Sequence, residues 1–209
     1  MCVRHRCERK LVYDNFQENY HLRFIHPNSI GSAALSPLNP FGYATKFEFH
    51  GPHRKQGIWS NPDYQPGPVQ AAAFGKLVED AVAQGFSEML AEWDYLALFP
   101  NIFVMSSAAS PFTHSIYPVS VDKSRGVIRF YWVGDDENAT QRFAREYSMA
   151  YSRDIHAEDR TVIEAGQRGL STGVLTHIHF QSQEALCRHL FNMVDQMVQS
   201  YKEGRTDDQ

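Results

Sequence analysis

The segment 14-DNFQENYHLRFIHP-27 gathers side chains that could bind a metal ion: His21 and His26, with Asp14, Asn15 and Glu18 upstream and Pro27 directly after. Imidazole suits iron, zinc and copper, and two histidines plus one carboxylate, with open positions left over, make the facial triad of non-haem iron(II) chemistry. In an unbroken helix five residues turn the chain by about 140°, so His21 and His26 could not share a face. Pro27 changes that. The residue before a proline is pushed out of helical geometry. The helix is therefore expected to end near Ile25, leaving His26 on the departing chain, able to swing back towards His21. Taken alone, H-x4-H is a weak motif, because two surface histidines at a polar helix end show the same spacing.

A third ligand must come from elsewhere. The best stretch is 154-DIHAEDRTVIEAGQRGL-170, which reads as part of a long helix. Glu158 and Asp159 lie inside that helix; Asp154, Asp159 and Glu164 face different ways, and spacing does not choose between them. His177 and His179, two apart, would face one side of a strand, but no acid or cysteine stands near them. His50, His53 and His114 read as loop or strand-surface residues. His156 reads as a helix-surface histidine one turn from Asp159. No HExxH, nucleophile elbow or phosphate-binding glycine loop is present.

The elements that must position these groups follow from periodicity. Leu11, Val12, Phe16, Tyr20 and Phe24 are spaced as on a helix over 9–24, closed by Pro27. A polar loop follows over 27–42, and GYATKFEFH (42–50) alternates like a half-buried strand. Residues 51–68, with four prolines and three glycines, read as a long loop of the kind that covers a site. A helix is expected over 69–84 with Gly85 as its stop. YLALF, NIFVMSSA, THSIYPVSVD and GVIRFYWVG are strand-like, with DKSRG (122–126) as the connection between the last two. The pattern turns helical from Asn138 to about Gly166. A final helix over 182–204 carries Leu186, Leu190, Met193, Val194, Met197 and Tyr201 on one face, which reads as core packing. Helix, sheet, then long helices describe an α+β domain with helices packed on an antiparallel sheet.

Composition narrows the class. At 209 residues with 43% hydrophobic content the chain is most simply one globular domain. A net charge of −4 and no basic stripe argue against nucleic acid as partner. The longest apolar run, LALFPNIFVM (96–105), is broken by Pro100 and Asn101 and too short to cross a membrane. MCVRHRCERK has no apolar core of a secretory signal, and three scattered cysteines fit a reduced, cytoplasmic protein.

YDNFQENYHLRFIHP resembles the mononuclear-iron motif of the Rieske non-haem iron oxygenases, the large subunits of aromatic-ring-hydroxylating dioxygenases. Asp14-Asn15, Glu18, Tyr20-His21 and His26-Pro27 stand where that motif places them. EDRTVIEAGQRGL resembles the family's carboxylate segment, with Asp159 in the ligand position and Glu164, Gln167 and Gly169 following. LALFPNIFVM and HSIYPVSVDKSRGVIRFYW look like strands of its catalytic sheet. The resemblance covers 10–205, with a leader (1–9) that does not match and a short tail (206–209). It implies a helix-grip (START-like) domain in which His21, His26 and Asp159 bind Fe(II). By the same resemblance Asn15 lies next to the ligands, and Glu18 is the acid that passes electrons from a neighbouring subunit's cluster. The implied reaction inserts oxygen from O2 into an organic, commonly aromatic, substrate. Electrons come from NAD(P)H through a reductase or ferredoxin, and the implied assembly is a homotrimer or larger.

The family's [2Fe–2S] Rieske cluster needs two cysteines and two histidines in Cys-x-His and Cys-x-x-His pairs. Here Cys2-Val-Arg-His5 and Cys187-Arg-His189 have those spacings in reversed order, one in the leader and one in a helix, and both read as chance. The cluster is therefore expected from a missing domain or a partner. The family's Asn-Trp-Lys before the first helix is replaced by Glu8-Arg9-Lys10. Two other readings stay open: a non-catalytic helix-grip remnant that binds ligand or iron without turnover, and, less favoured, a zinc hydrolase on the same triad.

Overall fold

The structure, a computed structural model, describes residues 1–86, 93–107, 110–134 and 138–204. The expected tail at 206–209, and Ala108 at the end of the NIFVMSSA run, lie outside the described residues.

Seven strands form one antiparallel sheet: β1 (Cys2–His5), β2 (Lys46–His50), β3 (His53–Gly57), β4 (Asp94–Leu98), β5 (Ile102–Ser106), β6 (Phe112–Ser120) and β7 (Lys123–Phe130). Their spatial order is β1-β7-β6-β5-β4-β3-β2. The helices are α1 (Arg9–Asn15), α2 (Leu22–Ile25), α3 (Gly31–Ala34), α4 (Pro68–Ala83), α5 (Ala139–Leu170) and α6 (Ala185–Lys202). This is an α+β helix-grip arrangement, in which a curved sheet holds the long helix α5. No helix among the described residues is long and apolar enough to cross a membrane.

The core lies between sheet and helices. Val12, Tyr13 and Phe16 from α1 and its end meet Ala97, Phe103 and Ile116 of the sheet, with Ile163 of α5 and Leu190 of α6 closing the cluster. A second cluster joins Ala34, Ile58, Met105, Phe112 and Ile128. Ala73 and Leu77 seat α4 against Ala144 of α5. The inward face of α5 carries Ser148, Ser152, His156, Asp159 and Ile163, spaced so that one side of the helix meets the sheet. Four of these five are polar, which marks the face as more than packing.

Several sequence expectations need correction. The helix over 9–24 is two helices separated by a turn. Gln17 and Asn19 are drawn out of helical bonding by partners on β3: Arg54 Nε donates to Gln17 Oε1 at 2.6 Å, and Gln56 Nε2 donates to Asn19 Oδ1 at 3.2 Å. Phe24 is exposed as a consequence. The loop 51–68 contains β3, a strand whose inward residues, Arg54 and Gln56, are polar and buried by those same bonds. Lys123–Gly126 belongs to β7, so the hairpin turn is Val121–Asp122. The leader supplies β1, an edge strand on β7. His177 and His179 are exposed and lie in no strand. The apolar stripe of α6 is covered only at its start: Leu186 and Leu190 are buried, whereas Tyr201 is 84% exposed.

Candidate metal centre

The turn between α1 and α2 places His21 just before α2, and the end of α2 places His26 just after it. His26 has left helical geometry at φ −116°, ψ 39°, while its N–H still donates to Leu22 O at 3.1 Å. Its carbonyl accepts the N–H of Gly31 at 3.0 Å. A Cβ at Gly31 would stand 2.4 Å from that oxygen, so the close approach of α3 that holds His26 requires glycine. The two imidazole rings end with centroids 5.4 Å apart.

Asp159 reaches them from α5. Its Oδ1 lies 2.9 Å from His26 Nε2 and 3.6 Å from His21 Nε2. One donor atom from each of the three residues lies within 4.8 Å of the others. Two donors about 2.1 Å from one metal and at right angles stand about 3 Å apart, so these separations suit three cis ligands. Asp154 is exposed on the far side of α5, and Glu164 turns to the leader, accepting the N–H of Arg6.

Each imidazole is oriented by a second carboxylate. His21 Nδ1 donates to Glu18 Oε1 at 2.5 Å, and His26 Nδ1 donates to Glu158 Oε2 at 2.6 Å. With Nδ1 so engaged, both rings present Nε2 to Asp159. Partners of this kind fix the tautomer and raise the basicity of a ligating imidazole. Asn15 Nδ2 donates to Asp159 Oδ1 at 3.0 Å, and Ser29 Oγ donates to Glu158 at 2.7 Å.

Burial makes the group electrostatically tense. His26 is 1% and Asp159 3% exposed. Burial opposes a charge on His26, but Asp159 and Glu158 outweigh it and raise its pKa. Burial likewise opposes the Asp159 carboxylate, and the nearby imidazoles of His26 and His21 outweigh it and lower that pKa. The neighbouring carboxylates thus favour a proton on His26, and the imidazoles favour the charged form of Asp159. A divalent ion would take the place of the proton, since ligating histidines must be neutral. The donor set of two nitrogens and one oxygen, with no thiolate nearby, suits iron(II).

The centre opens on a cavity. A space of about 30 Å³ beside His21, His26 and Asp159 shares Phe16, Trp93, Tyr95 and Ile155 with a larger cavity of about 240 Å³ between α5 and the sheet. Phe74, Phe112, Tyr151 and Tyr64 also wall the larger cavity, while Ser148, Ser152 and His156 supply its polar points. Among the described residues that line it there is no Lys, Arg, Asp or Glu. Tyr64 comes from the long loop after β3 and is held by its bond to Gln70 at 2.7 Å.

Sequence reasoning missed several groups here. Glu158 was one of several acids with no assigned task. Its position next to Asp159 was the available signal, because adjacent helical side chains diverge by about 100° and can reach two sides of one ring. His156 and His114 are buried, not surface residues. Their rings stack edge to face at 5.4 Å.

The ring hydroxylating alpha subunit (catalytic domain) family matches residues 7–200. No curated protein sequence matches the chain. Among solved structures, the quaternary ammonium Rieske monooxygenase CntA, in complex with an inhibitor, superposes with a TM-score of 0.66 at 14% identity, covering 94% of this chain and 47% of that one. Pseudomonas putida CBB5 NdmA with caffeine gives a TM-score of 0.65 at 14% identity, covering 97% and 52%. Naphthalene 1,2-dioxygenase from Rhodococcus sp., bound to indole, gives 0.60 at 15% identity, covering 96% and 55%. At these identities the likeness is one of fold. The chain spans about half the length of the solved structures it matches.

Proposed function

The chain belongs to the ring hydroxylating alpha subunit family, by its catalytic domain, and from that premise we propose that it is the catalytic domain of a Rieske-type non-haem iron oxygenase. Its reaction inserts oxygen from O2 into an organic, aromatic substrate. The electrons come from NAD(P)H through a reductase and a [2Fe–2S] Rieske cluster not carried on this chain. The observation that carries the reading is the pairing of two carboxylate-oriented histidines with Asp159 at the mouth of an aromatic-lined cavity.

His21, His26 and Asp159 would hold Fe(II), which when bound supplies redox and Lewis-acid chemistry towards O2. The chain supplies position and environment. Glu18 and Glu158 fix the ring tautomers, and Asn15 holds Asp159 Oδ1. Asp159 alone would leave the three-ligand set net positive around a divalent ion, with Glu18 and Glu158 balancing that charge from beyond the imidazoles. The aromatic walls keep bulk water from the reacting atoms and grip a flat apolar molecule by its faces.

Glu18 has a second task in this reading, as the inter-subunit electron relay. It is 8% exposed and lines a surface cleft with Asp14, Tyr20 and Cys187, the face at which a neighbouring chain would approach in this reading. The catalytic unit is placed at 10–205 with 1–9 as leader, working as a homotrimer or larger assembly. The cytoplasm is its proposed compartment, in keeping with three unpaired cysteines.

The test is reconstitution: chain, Fe(II), a Rieske-domain partner with its reductase, NAD(P)H and a panel of small aromatics under ¹⁸O2. Label in a hydroxylated product, absent when any component is left out, supports the proposal. Iron and aromatic binding without label in product would make the chain a non-catalytic binding domain instead.

A further inference from the structure

A second cavity, more spacious than those beside the metal centre, lies elsewhere on the chain. It is a cleft of about 770 Å³ where β1, the β6–β7 hairpin and α5 meet. We infer that this cleft binds a multiply charged oxyanion of the phosphate type. The inference is independent of the oxygenase reading.

Its walls carry Arg4, Arg6, Lys123, Arg125 and Arg160 against a single acid, Glu164, in a chain whose net charge is −4. Glu164 is already engaged: it accepts the N–H of Arg6 at 3.0 Å and lies 3.9 Å from Arg160 Nε. The other cations are exposed, and among the described residues no ion pair engages them. Arg4 and Arg125 are direct cross-strand partners on β1 and β7. The Cβ atoms of such partners stand about 5 Å apart, and like charges directly opposite are unfavourable; the Arg125 guanidinium lies over the Tyr117 ring, 5.7 Å from its centroid. An anion between them turns that repulsion into a binding contribution, and the planar guanidinium fork matches phosphate oxygens two at a time.

A second, independent observation is His5, in the wall between Arg4 and Arg6. It is 4% exposed, yet neither ring nitrogen has a hydrogen-bond partner among the described residues. Buried polar side chains are nearly always paired. Burial, chiefly, pushes its pKa down to about 4, so it stands behind the cations of the cleft as a neutral imidazole, on the inward side of β1. Ser124 lies beside it, its hydroxyl donating to Cys7 O at 3.0 Å.

The shape favours a small anion over an acidic protein surface, because the cations converge from three elements on one concavity. Among the described residues of the wall Val119 is the one apolar side chain, and no Phe, Tyr or Trp is there to stack a nucleobase. The recognised unit is the phosphoryl group.

The experiment is calorimetric titration of metal-free protein, at low ionic strength, with pyrophosphate, inorganic phosphate and polyglutamate; removing metal prevents chelation from mimicking binding. Expected is saturable one-to-one binding, pyrophosphate tighter than phosphate, weakened at least tenfold in Arg4→Ala with Arg125→Ala and in Lys123→Gln. Arg142→Ala, on an exposed helix position outside the cleft, should leave binding unchanged. All the altered side chains are exposed, and melting curves confirm folding. No binding at millimolar pyrophosphate, or equal loss in Arg142→Ala, overturns the inference. So does polyglutamate binding more tightly than pyrophosphate, which would make the cleft a protein-docking face.

Discussion

Glu158 and His26, 132 residues apart in sequence, are joined by a hydrogen bond of 2.6 Å from His26 Nδ1 to Glu158 Oε2. It is this bond that turns His26 Nε2 towards Asp159. Removing such an orienting partner lowers metal affinity by roughly 10–100-fold. Glu158→Ala is therefore expected to weaken Fe(II) binding by about that factor with the fold intact, measured by anaerobic titration. Unchanged affinity would mean that packing alone orients His26.

Glu18 should behave differently. In Glu18→Gln the amide oxygen can still accept from His21 Nδ1, so iron affinity should fall less than about tenfold. Turnover with a supplied Rieske partner should nevertheless be lost if Glu18 is the proposed relay, because the charge that role requires is gone. Turnover within a factor of two of the unaltered chain would remove the relay role.

Gly31→Ala is expected to disturb the centre without touching a ligand. The new Cβ would press on His26 O, backbone on an adjacent turn. Overpacking of this kind costs about 1–3 kcal/mol, and relief must move His26. A melting temperature several degrees lower, together with weaker iron binding, is the predicted pair of results. A lower melting temperature with full iron affinity would show that α3 yields and His26 does not.

How much of this could be read from the chain differs by residue. Pro27 announced that His26 leaves its helix, because a backbone constraint acts locally and carries its own letter. The carboxylate ligand was not legible from spacing; only the likeness of EDRTVIEAGQRGL to a known segment singled out Asp159. β3 was missed because HRKQG shows no apolar alternation. Its inward Arg54 and Gln56 are satisfied by Gln17 and Asn19, 37 residues earlier, and such a match leaves no local signal. The same pairing broke the helix expected over 9–24. His114 and His156 were misjudged, and His5 passed over, because a histidine's letter does not record whether strands and a helix close over it.

Those three histidines predict how stability responds to acid. Burial lowers the pKa of each, for His5 to about 4. Between that value and the unfolded value of about 6.5 the unfolded chain binds more protons, so stability rises with pH across the window and is lost as pH falls through it. His26 has the opposite shift: its contribution is full below about 6.5 and is lost as pH rises through its raised value, which offsets part of that slope near neutral pH. Urea midpoints should drop steeply from pH 7 to pH 5, and less steeply in His114→Gln. A tenfold change in proton affinity corresponds to about 1.4 kcal/mol, enough to move a midpoint measurably. Equal slopes in the two proteins would show that His114 does not carry the effect.

The measurement closest to the central claim is anaerobic. Fe(II) is added to the metal-free chain, then nitric oxide, and the electron paramagnetic resonance spectrum is recorded. The expected result is a half-integer-spin iron–nitrosyl signal near one iron per chain, lost in His21→Ala and in Asp159→Ala while both variants stay folded. A folded chain with no signal, or a signal undiminished in both variants, would contradict an iron centre built from His21, His26 and Asp159.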